Sequence, residues 1–242
     1  MKIKTLVCLL FMLVFSSVSS AQSVVVTPRK VTYTRPKPAA DFKKTFTVNY
    51  PKVKAATNAL SRKIESIISY EKVLGLNIQE EKTAAQWLDE ADYEVGYNKN
   101  GILSITLWMS GAGAYPSGTS KTIVVNLKTG SRIRPSDIFT NLKGFTAEIK
   151  KRQQAEIKKA EEDYKKDSES ADFDGSEYFD KADFKVENLE EFAVGETGVT
   201  FTYDYGFPHV VQALQPDGTY FFIWAELKPY IKRGGLLEKF VR

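Results

Sequence analysis

The strongest constraint on the fold of this 242-residue chain is a hydrophobic pattern of period two on both sides of a turn. Apolar and polar side chains alternate over residues 93–98 and again over residues 102–108, and Lys99-Asn100-Gly101 separates the two runs. Such alternation is typical of strands with one buried face, and an Asn-Gly pair favours the tight turn of a β-hairpin. The sequence therefore predicts a hairpin here, followed by a third strand over residues 122–127.

Further strands and two helices are predicted on either side of this hairpin. Residues 24–54 are rich in β-branched and aromatic side chains, and the four prolines that interrupt them indicate strand ends or sheet edges. Apolar residues recur at a helical period between residues 55 and 70, which predicts a first helix. A thin apolar stripe in an otherwise charged run predicts a longer helix over residues 144–166.

The last third of the chain again favours β-structure. Alternation predicts three strands, over residues 192–194, 199–203 and 220–224. In the stretch YDYGFPHVVQ, Pro208 predicts a break, after which Val210 and Val211 resume the strand. Pro229 near its start predicts a short terminal helix over residues 227–231. Together these elements indicate an α+β fold in which helices cover an antiparallel sheet, preceded by an N-terminal strand–helix unit.

The first residues are typical of a secretory signal. Two lysines precede an apolar run over residues 6–15 that is too short to span a bilayer stably, and small residues follow it up to Ala21. We therefore expect residues 1–21 to be removed and residues 22–242 to form one domain without a stable membrane span. The expected location is the periplasm or the extracellular space. The single cysteine, Cys8, lies inside this segment, so the mature chain has no disulfide.

Charge and the remaining residue types exclude some classes of function. The formal net charge is +4, which is close to neutral for this length, so we expect no nucleic-acid partner. The only histidine is His209, and no G-x-S-x-G nucleophile motif accompanies it. One histidine without a mature cysteine is a poor ligand set for zinc. We expect His209 to be structural, so that His209→Gln leaves folding and ligand affinity nearly intact.

The acidic segment over residues 172–183 is the best metal candidate. Asp172-Phe173-Asp174-Gly175 resembles part of a calcium loop, but the alignment places Ser170 at the first ligand position and Lys181 at the twelfth, where calcium loops have a bidentate glutamate. We therefore expect a solvated acidic loop and no cofactor. Calcium binding remains the alternative at this point.

Four aromatic residues are candidates for ligand contacts. Residues 110–118 form a predicted loop of small residues with Tyr115 at its tip, and Trp108 lies shortly before it. Tyr205 and Phe207 flank the bend before Pro208. Aromatic side chains on loops are frequent binding anchors, although packing against the sheet is an equally good interpretation.

Two segments together resemble a known family. They are SGAGAYPSGTSKTIVVNLKTGSRIRPSDIF, residues 110–139, and FTYDYGFPHVVQALQPDGTYFFIWAELKPYI, residues 201–231. They resemble the extracytoplasmic domain of unknown function found in RsiV, a lysozyme-sensing anti-sigma factor, and beside the catalytic domain of the PdaC peptidoglycan deacetylase. The resemblance covers about residues 40–232, with a strand–helix subregion over about 40–100 and a second subregion over about 101–232. Tyr115 stands where the family frequently has histidine.

The resemblance implies an α+β module that binds and does not catalyse, with lysozyme as a family ligand. We therefore expect an exported, non-enzymatic binding or accessory domain of the cell envelope that recognises lysozyme, another protein or peptidoglycan. Two alternatives stay open. One is a cell-wall hydrolase with a carboxylate pair, whose signature is a separation in space that the sequence does not show. The other is a purely structural envelope protein.

Overall fold

The structure, a computed structural model, describes residues 23–39, 42–113, 115–166 and 173–242, so the expected signal segment lies outside it. The strands of the described part are β1 Val25–Thr34, β2 Thr45–Lys54, β3 Leu88–Lys99, β4 Ile102–Ala112, β5 Pro116–Asn126, β6 Ser131–Arg132, β7 Phe192–Val194, β8 Gly198–Thr202 and β9 Thr219–Ile223. Its α-helices are α1 Asn58–Ile67, α2 Tyr70–Val73, α3 Ile78–Thr83, α4 Pro135–Ile138, α5 Leu142–Tyr164, α6 Ser176–Phe179 and α7 Trp224–Leu227. Short 3₁₀ helices cover Val186–Glu190, His209–Leu214 and Glu238–Phe240.

The strands form two sheets. The larger has the order β1-β2-β3-β4-β5-β6, and the smaller is the antiparallel meander β7-β8-β9. All neighbours in the larger sheet are antiparallel except β2 and β3, which pair in parallel at Thr47–Glu90 and Val48–Ala91. The α+β class predicted from the sequence is therefore confirmed, with a second sheet and one parallel pair that the sequence did not indicate.

The parallel pair explains the position of the first helices. Parallel strands need a crossover connection, and the chain between β2 and β3 supplies α1, α2 and α3. Two of the prolines predicted to mark strand ends lie inside strands instead. Pro28 lies within β1, opposite Pro51 of β2. Their positions are tolerated because β1 is an edge strand and Pro51 lies beyond the short β2–β3 ladder.

Strand β4 separates two hydrophobic cores. Leu103, Ile105 and Leu107 face the N-terminal core, which β2, β3, β5 and the helices α1 and α2 also enter. Ile102 faces the C-terminal core on the opposite side of the sheet, and Ser104 Oγ accepts a hydrogen bond from Val194 N of β7 at 3.2 Å. Both layers of the protein therefore pack on one central strand.

The C-terminal core joins the small sheet to the long helix α5. Phe145 of α5 contacts Phe201 of β8 and Phe222 of β9, with ring centroids 5.2 Å apart in both pairs. Arg152, two turns further along α5, lies over the Phe222 ring and donates a hydrogen bond to the carbonyl of Phe221 on the outer strand β9. The helix thus covers one face of the small sheet and caps its edge.

Three predicted elements differ from the observed ones. The predicted hairpin is confirmed, but β4 and β5 continue almost to the tip, so the loop predicted over residues 110–118 is reduced to about three residues. Val210 and Val211 do not resume a strand, because Gly206 turns the chain at φ +70° and Pro208 precedes a 3₁₀ helix. The terminal helix ends at Leu227, before the position predicted, since Pro229 cannot continue it.

One buried cation, Arg35, connects the β1–β2 loop to α3 and β3. The Arg35 side chain is 1% exposed, and its guanidinium donates to the carbonyls of Glu81, Lys43 and Leu88 at 3.1, 2.7 and 2.6 Å. The Glu81 carboxylate lies 3.7 Å from the guanidinium and accepts the Leu88 N–H at 2.8 Å. Arg35 therefore ties the β1–β2 connection to α3 and to the first residue of β3.

We predict that Arg35→Met lowers the free energy of unfolding by about 3–5 kcal/mol, because it leaves a buried carboxylate and three carbonyls without their donor. Urea denaturation followed by circular dichroism measures the change. The matched control is Lys44→Met, which removes the same charge at an exposed position. Equal stability of the two variants would contradict the role assigned to Arg35.

Candidate functional site

Tyr115, at the tip of the β4–β5 hairpin, has the most exposed aromatic ring among the large hydrophobic side chains of the described residues. The two strands pair without interruption from Ile102–Asn126 to Ala112–Pro116, so the hairpin ends in Gly113 and Tyr115. The Tyr115 side chain is 65% exposed, and its ring lies 4.9 Å from the ring of His209, tilted by 55°. Val210, beside His209, is 89% exposed. We call Tyr115, His209 and Val210 the tip surface.

Close packing against Trp87 explains the small residues in this hairpin. A Cβ on Gly111 would lie 2.0 Å from the Trp87 carbonyl oxygen, so only glycine fits there. The same carbonyl accepts the Ala112 N–H at 3.1 Å, and the Trp87 indole N–H donates to Ser117 Oγ at 2.9 Å. The hairpin end is thereby fixed, and Tyr115 is presented from an ordered support.

Tyr205 and Phe207, predicted as contact residues, are buried. They are 7% and 6% exposed and belong to an aromatic cluster with Tyr164 and Phe179. Val211 and Leu214 pack against the same cluster, because residues three apart share one face of a 3₁₀ helix. The 3₁₀ helix therefore packs on the buried bend through Val211 and Leu214, and His209 and Val210 stay exposed to solvent.

The sequence predicted that His209 lies where a strand breaks and resumes. In the structure His209 begins a 3₁₀ helix and is an exposed member of the tip surface. Its Nδ1 lies 3.4 Å from Gln212 Oε1, and its ring contacts Tyr115. Because the two residues are 94 positions apart in the chain, only the tertiary structure brings them together. The expectation that His209→Gln leaves ligand affinity nearly intact stays a prediction, which a ligand that contacts the tip surface would make wrong.

Trp108, the fourth predicted contact residue, lies on β4 between Asp92 and Ser120 and is half-buried. Within the described residues it makes no ring contact with Tyr115. Of the four predicted residues, only Tyr115 belongs to the tip surface, where it lies beside His209 and Val210, which the sequence did not single out as contacts.

A buried polar network supports the bend. Glu156 of α5 accepts hydrogen bonds from the hydroxyls of Tyr205 and Tyr220, both at 2.8 Å, and from Gly218 N at 2.9 Å. Gly218 has φ +64°, and a Cβ there would lie 2.0 Å from the Tyr203 carbonyl oxygen. Burial raises the pKa values of Tyr205 and Tyr220 well above their usual range, and for Tyr220 the neighbouring Tyr205 and Glu156 add to the effect.

Two surface depressions each contain a pair of carboxylates. One has a volume of about 420 Å³ beside β5, and the other has a volume of about 680 Å³ beside β6. The four acids are Glu191 and Asp204 in the first depression, and Asp137 and Glu238 in the second. Glu191 is paired with Lys121 at 2.8 Å, and the other three accept backbone N–H groups. Each of the four acids therefore has a partner within the protein.

The acidic segment does not fold as a calcium loop where the structure describes it. Ser170 and Asp172 lie outside the described residues. Gly175 is the N-cap of α6 with an ordinary φ of −77°, so a helix begins where a calcium loop would continue. Asp174 accepts the Ser176 N–H at 2.9 Å, and Lys181 pairs with Glu177 at 3.9 Å. Across the described ranges, no group of three His, Cys, Asp or Glu side chains is arranged to hold a metal ion.

Solved structures with a similar fold are known. A solved structure of a DUF3298 family member from Bacteroides fragilis matches with a TM-score of 0.54 and 13% identity, over 90% of this chain and 98% of that chain. A DUF3298 family protein from Pseudomonas aeruginosa matches with a TM-score of 0.51 and 14% identity, over 87% and 94%. The chain has a DUF3298-type fold. At these identities the likeness concerns the fold alone, and DUF3298 denotes a domain of unknown function.

No protein-family model and no curated protein matches the chain. In the part of the chain that the structure covers, no helix has both the length and the apolar character needed to cross a membrane. The geometry of the described residues is thus the main guide to function.

We predict that the protein loses stability as the pH rises above about 10. In the unfolded chain tyrosine ionises near pH 10, whereas Tyr205 and Tyr220 stay protonated in the folded state, so the unfolded state binds fewer protons above that pH. Stability from these groups is complete below pH 10 and falls above it. Urea denaturation at a series of alkaline pH values measures the slope.

Tyr220→Phe should make that slope shallower by up to about 1.4 kcal/mol per pH unit, since it removes one of the ionising groups. Tyr220→Phe also removes one donor to Glu156, so its stability at neutral pH is measured separately. An unchanged alkaline slope in this variant would rule out the proposed contribution of Tyr220.

Proposed function

We propose that this protein is an exported, non-enzymatic binding domain of the cell envelope, and that the tip surface of Tyr115, His209 and Val210 contacts its ligand. The observation that carries the proposal is the exposed Tyr115–His209 ring contact at the end of a rigid hairpin. Exposed aromatic residues on a fixed support are frequent energetic anchors of interfaces, because little conformational entropy is lost when they bind. The signal-like first 21 residues support export.

The ligand we favour is a protein or glycan of the bacterial envelope, with lysozyme as the first protein to test. The support for lysozyme is the sequence resemblance to the RsiV and PdaC domains in residues 110–139 and 201–231. The DUF3298-type fold is compatible with such a module. The tip surface offers two rings and an aliphatic side chain, which suit both a protein pocket and the apolar face of a sugar ring.

We predict that Tyr115→Ala and His209→Ala each weaken ligand binding about tenfold or more, whereas Tyr115→Phe keeps most of the affinity because it retains the ring. The mature chain is immobilised and tested by surface plasmon resonance against C-type lysozyme and against soluble peptidoglycan fragments. The matched control is Phe221→Ala, which removes another exposed ring, on β9.

Failure of both ligands to bind at micromolar concentrations would remove them as candidates, and equal binding by Tyr115→Ala and the unchanged chain would remove the tip surface. Hydrolysis of peptidoglycan by the purified protein, abolished by Glu191→Gln or Asp204→Asn, would replace the binding domain by a carboxylate hydrolase. Thermal denaturation of each variant checks that its fold is intact.

A further inference from the structure

The C-terminal segment, residues 228–242, concentrates positive charge. It carries five cationic side chains and a single carboxylate, in a chain whose formal net charge is only +4. The cations are Lys228, Lys232, Arg233, Lys239 and Arg242, and the carboxylate is Glu238. They line two depressions of about 680 and 730 Å³ that share Glu238 and Arg242. The first also contains Arg132 and Asp137, whereas Lys228, Lys232 and Arg233 all line the second. We call the pair of depressions the cationic groove.

Four of these five cations form no ion pair within the part of the chain that the structure describes. Arg242 lies 3.1 Å from the Glu238 carboxylate, and Glu238 also accepts the Gly234 N–H at 3.0 Å. In contrast, within the described ranges no carboxylate oxygen lies within 4.0 Å of the charged atoms of the other four cations. Lys232 Nζ donates to the Ser136 carbonyl at 3.3 Å and Lys239 Nζ donates to the Asn100 carbonyl, so Lys228 and Arg233 are the two without a side-chain hydrogen bond to a described residue. The hydrogen bond from Arg242 holds the pKa of Glu238 below its usual range, and Arg233 contributes through its charge.

Backbone hydrogen bonds along the lining of the cationic groove tie the C-terminal segment to the end of α4 and the residues after it. The backbone N–H of Lys232 donates to the Ile138 carbonyl at 2.8 Å, and the Thr140 N–H donates to the Tyr230 carbonyl at 2.7 Å. Further along, Phe240 stacks on Trp224 with ring centroids 4.4 Å apart. The cations therefore project from a preformed surface, which lowers the entropic cost of binding an anion.

The surroundings of the groove favour a soluble polymer over a membrane surface. Binding to a bilayer surface combines cations with apolar side chains that enter the headgroup region. The large apolar side chains that are exposed in the described residues lie outside residues 228–242: they are Val25, Val95, Tyr115, Val210, Phe221 and Ile223. Two adjoining concave depressions also suit an extended chain with repeated charges better than a single small ion.

We propose that the cationic groove binds a linear phosphate-bearing polymer, with successive phosphates neutralised by Lys228, Lys232 and Arg233. Lysine binds phosphate as a point charge and arginine as a two-pronged donor, so the mixture fits phosphate oxygens along a chain. The groove includes Asn126 at the end of β5, whereas Tyr115 directly precedes the start of that strand. Tyr115 and Asn126 are thus separated by roughly 35 Å along β5.

The test uses the mature chain and fluorescently labelled inorganic polyphosphate as the probe, with binding followed by fluorescence anisotropy at increasing salt. We expect Lys232→Gln/Arg233→Gln to weaken binding roughly tenfold or more and to reduce the slope of log K against log salt by about 2, because two phosphate contacts are lost. The matched control is Lys30→Gln/Lys54→Gln, which removes two exposed cations at the opposite edge of the larger sheet.

Lys228→Gln provides an independent single variant in case the double variant unfolds. Absence of polyphosphate binding, or an equal loss in the Lys30→Gln/Lys54→Gln control, would overturn the proposal. Binding to anionic lipid vesicles without binding to free polyphosphate would also overturn it, in favour of a membrane surface. Tyr115→Ala should leave polyphosphate affinity unchanged, which separates this proposal from the one for the tip surface.

Discussion

The burial of β4 on both of its faces is the constraint on which the rest of the structure depends. Leu103, Ile105 and Leu107 pack under the N-terminal helices, while Ile102 and Ser104 meet the C-terminal core and the strand β7. A strand buried on both sides cannot shift its register without exposing apolar side chains and burying polar ones. The register of β4 is therefore fixed over Ile102–Ile105, where both faces are buried, and the β4–β5 hairpin continues from there to Tyr115.

The rings around the YDYGFPHVVQ stretch fall into two groups, buried and exposed. Tyr205 and Phe207 pack in a buried cluster, and Tyr205 also joins the Glu156 network that connects α5 to the turn at Gly218. Their burial places a 3₁₀ helix against the hairpin tip, where His209 meets Tyr115. The buried aromatic residues therefore support the tip surface, and Tyr115 and His209 remain exposed on it. A second surface, the cationic groove, lies at the other end of β5.

Local patterns predicted those elements whose stability is itself local. The Asn-Gly hairpin and the long charged helix are both present, because a turn of positive φ and a helical apolar stripe are specified by neighbouring residues. Val210 and Val211 were predicted wrongly as a strand because β-branched neighbours favour β-structure, whereas packing of Val211 and Leu214 on the aromatic cluster outweighs that preference. The sequence showed the glycines of the hairpin. It did not show why Gly111 is required, which is the close approach of the Trp87 carbonyl.

The amino-acid order alone settled the α+β class, the central hairpin and the presence of the two main helices, because hydrophobic periodicity and turn residues encode them within short windows. Only the tertiary structure determined the parallel pairing of β2 with β3, the second sheet, the burial of Arg35 beside Glu81 and the meeting of Tyr115 with His209. These features join residues tens of positions apart. Their energies come from desolvation and side-chain packing, which exist only once the chain is folded.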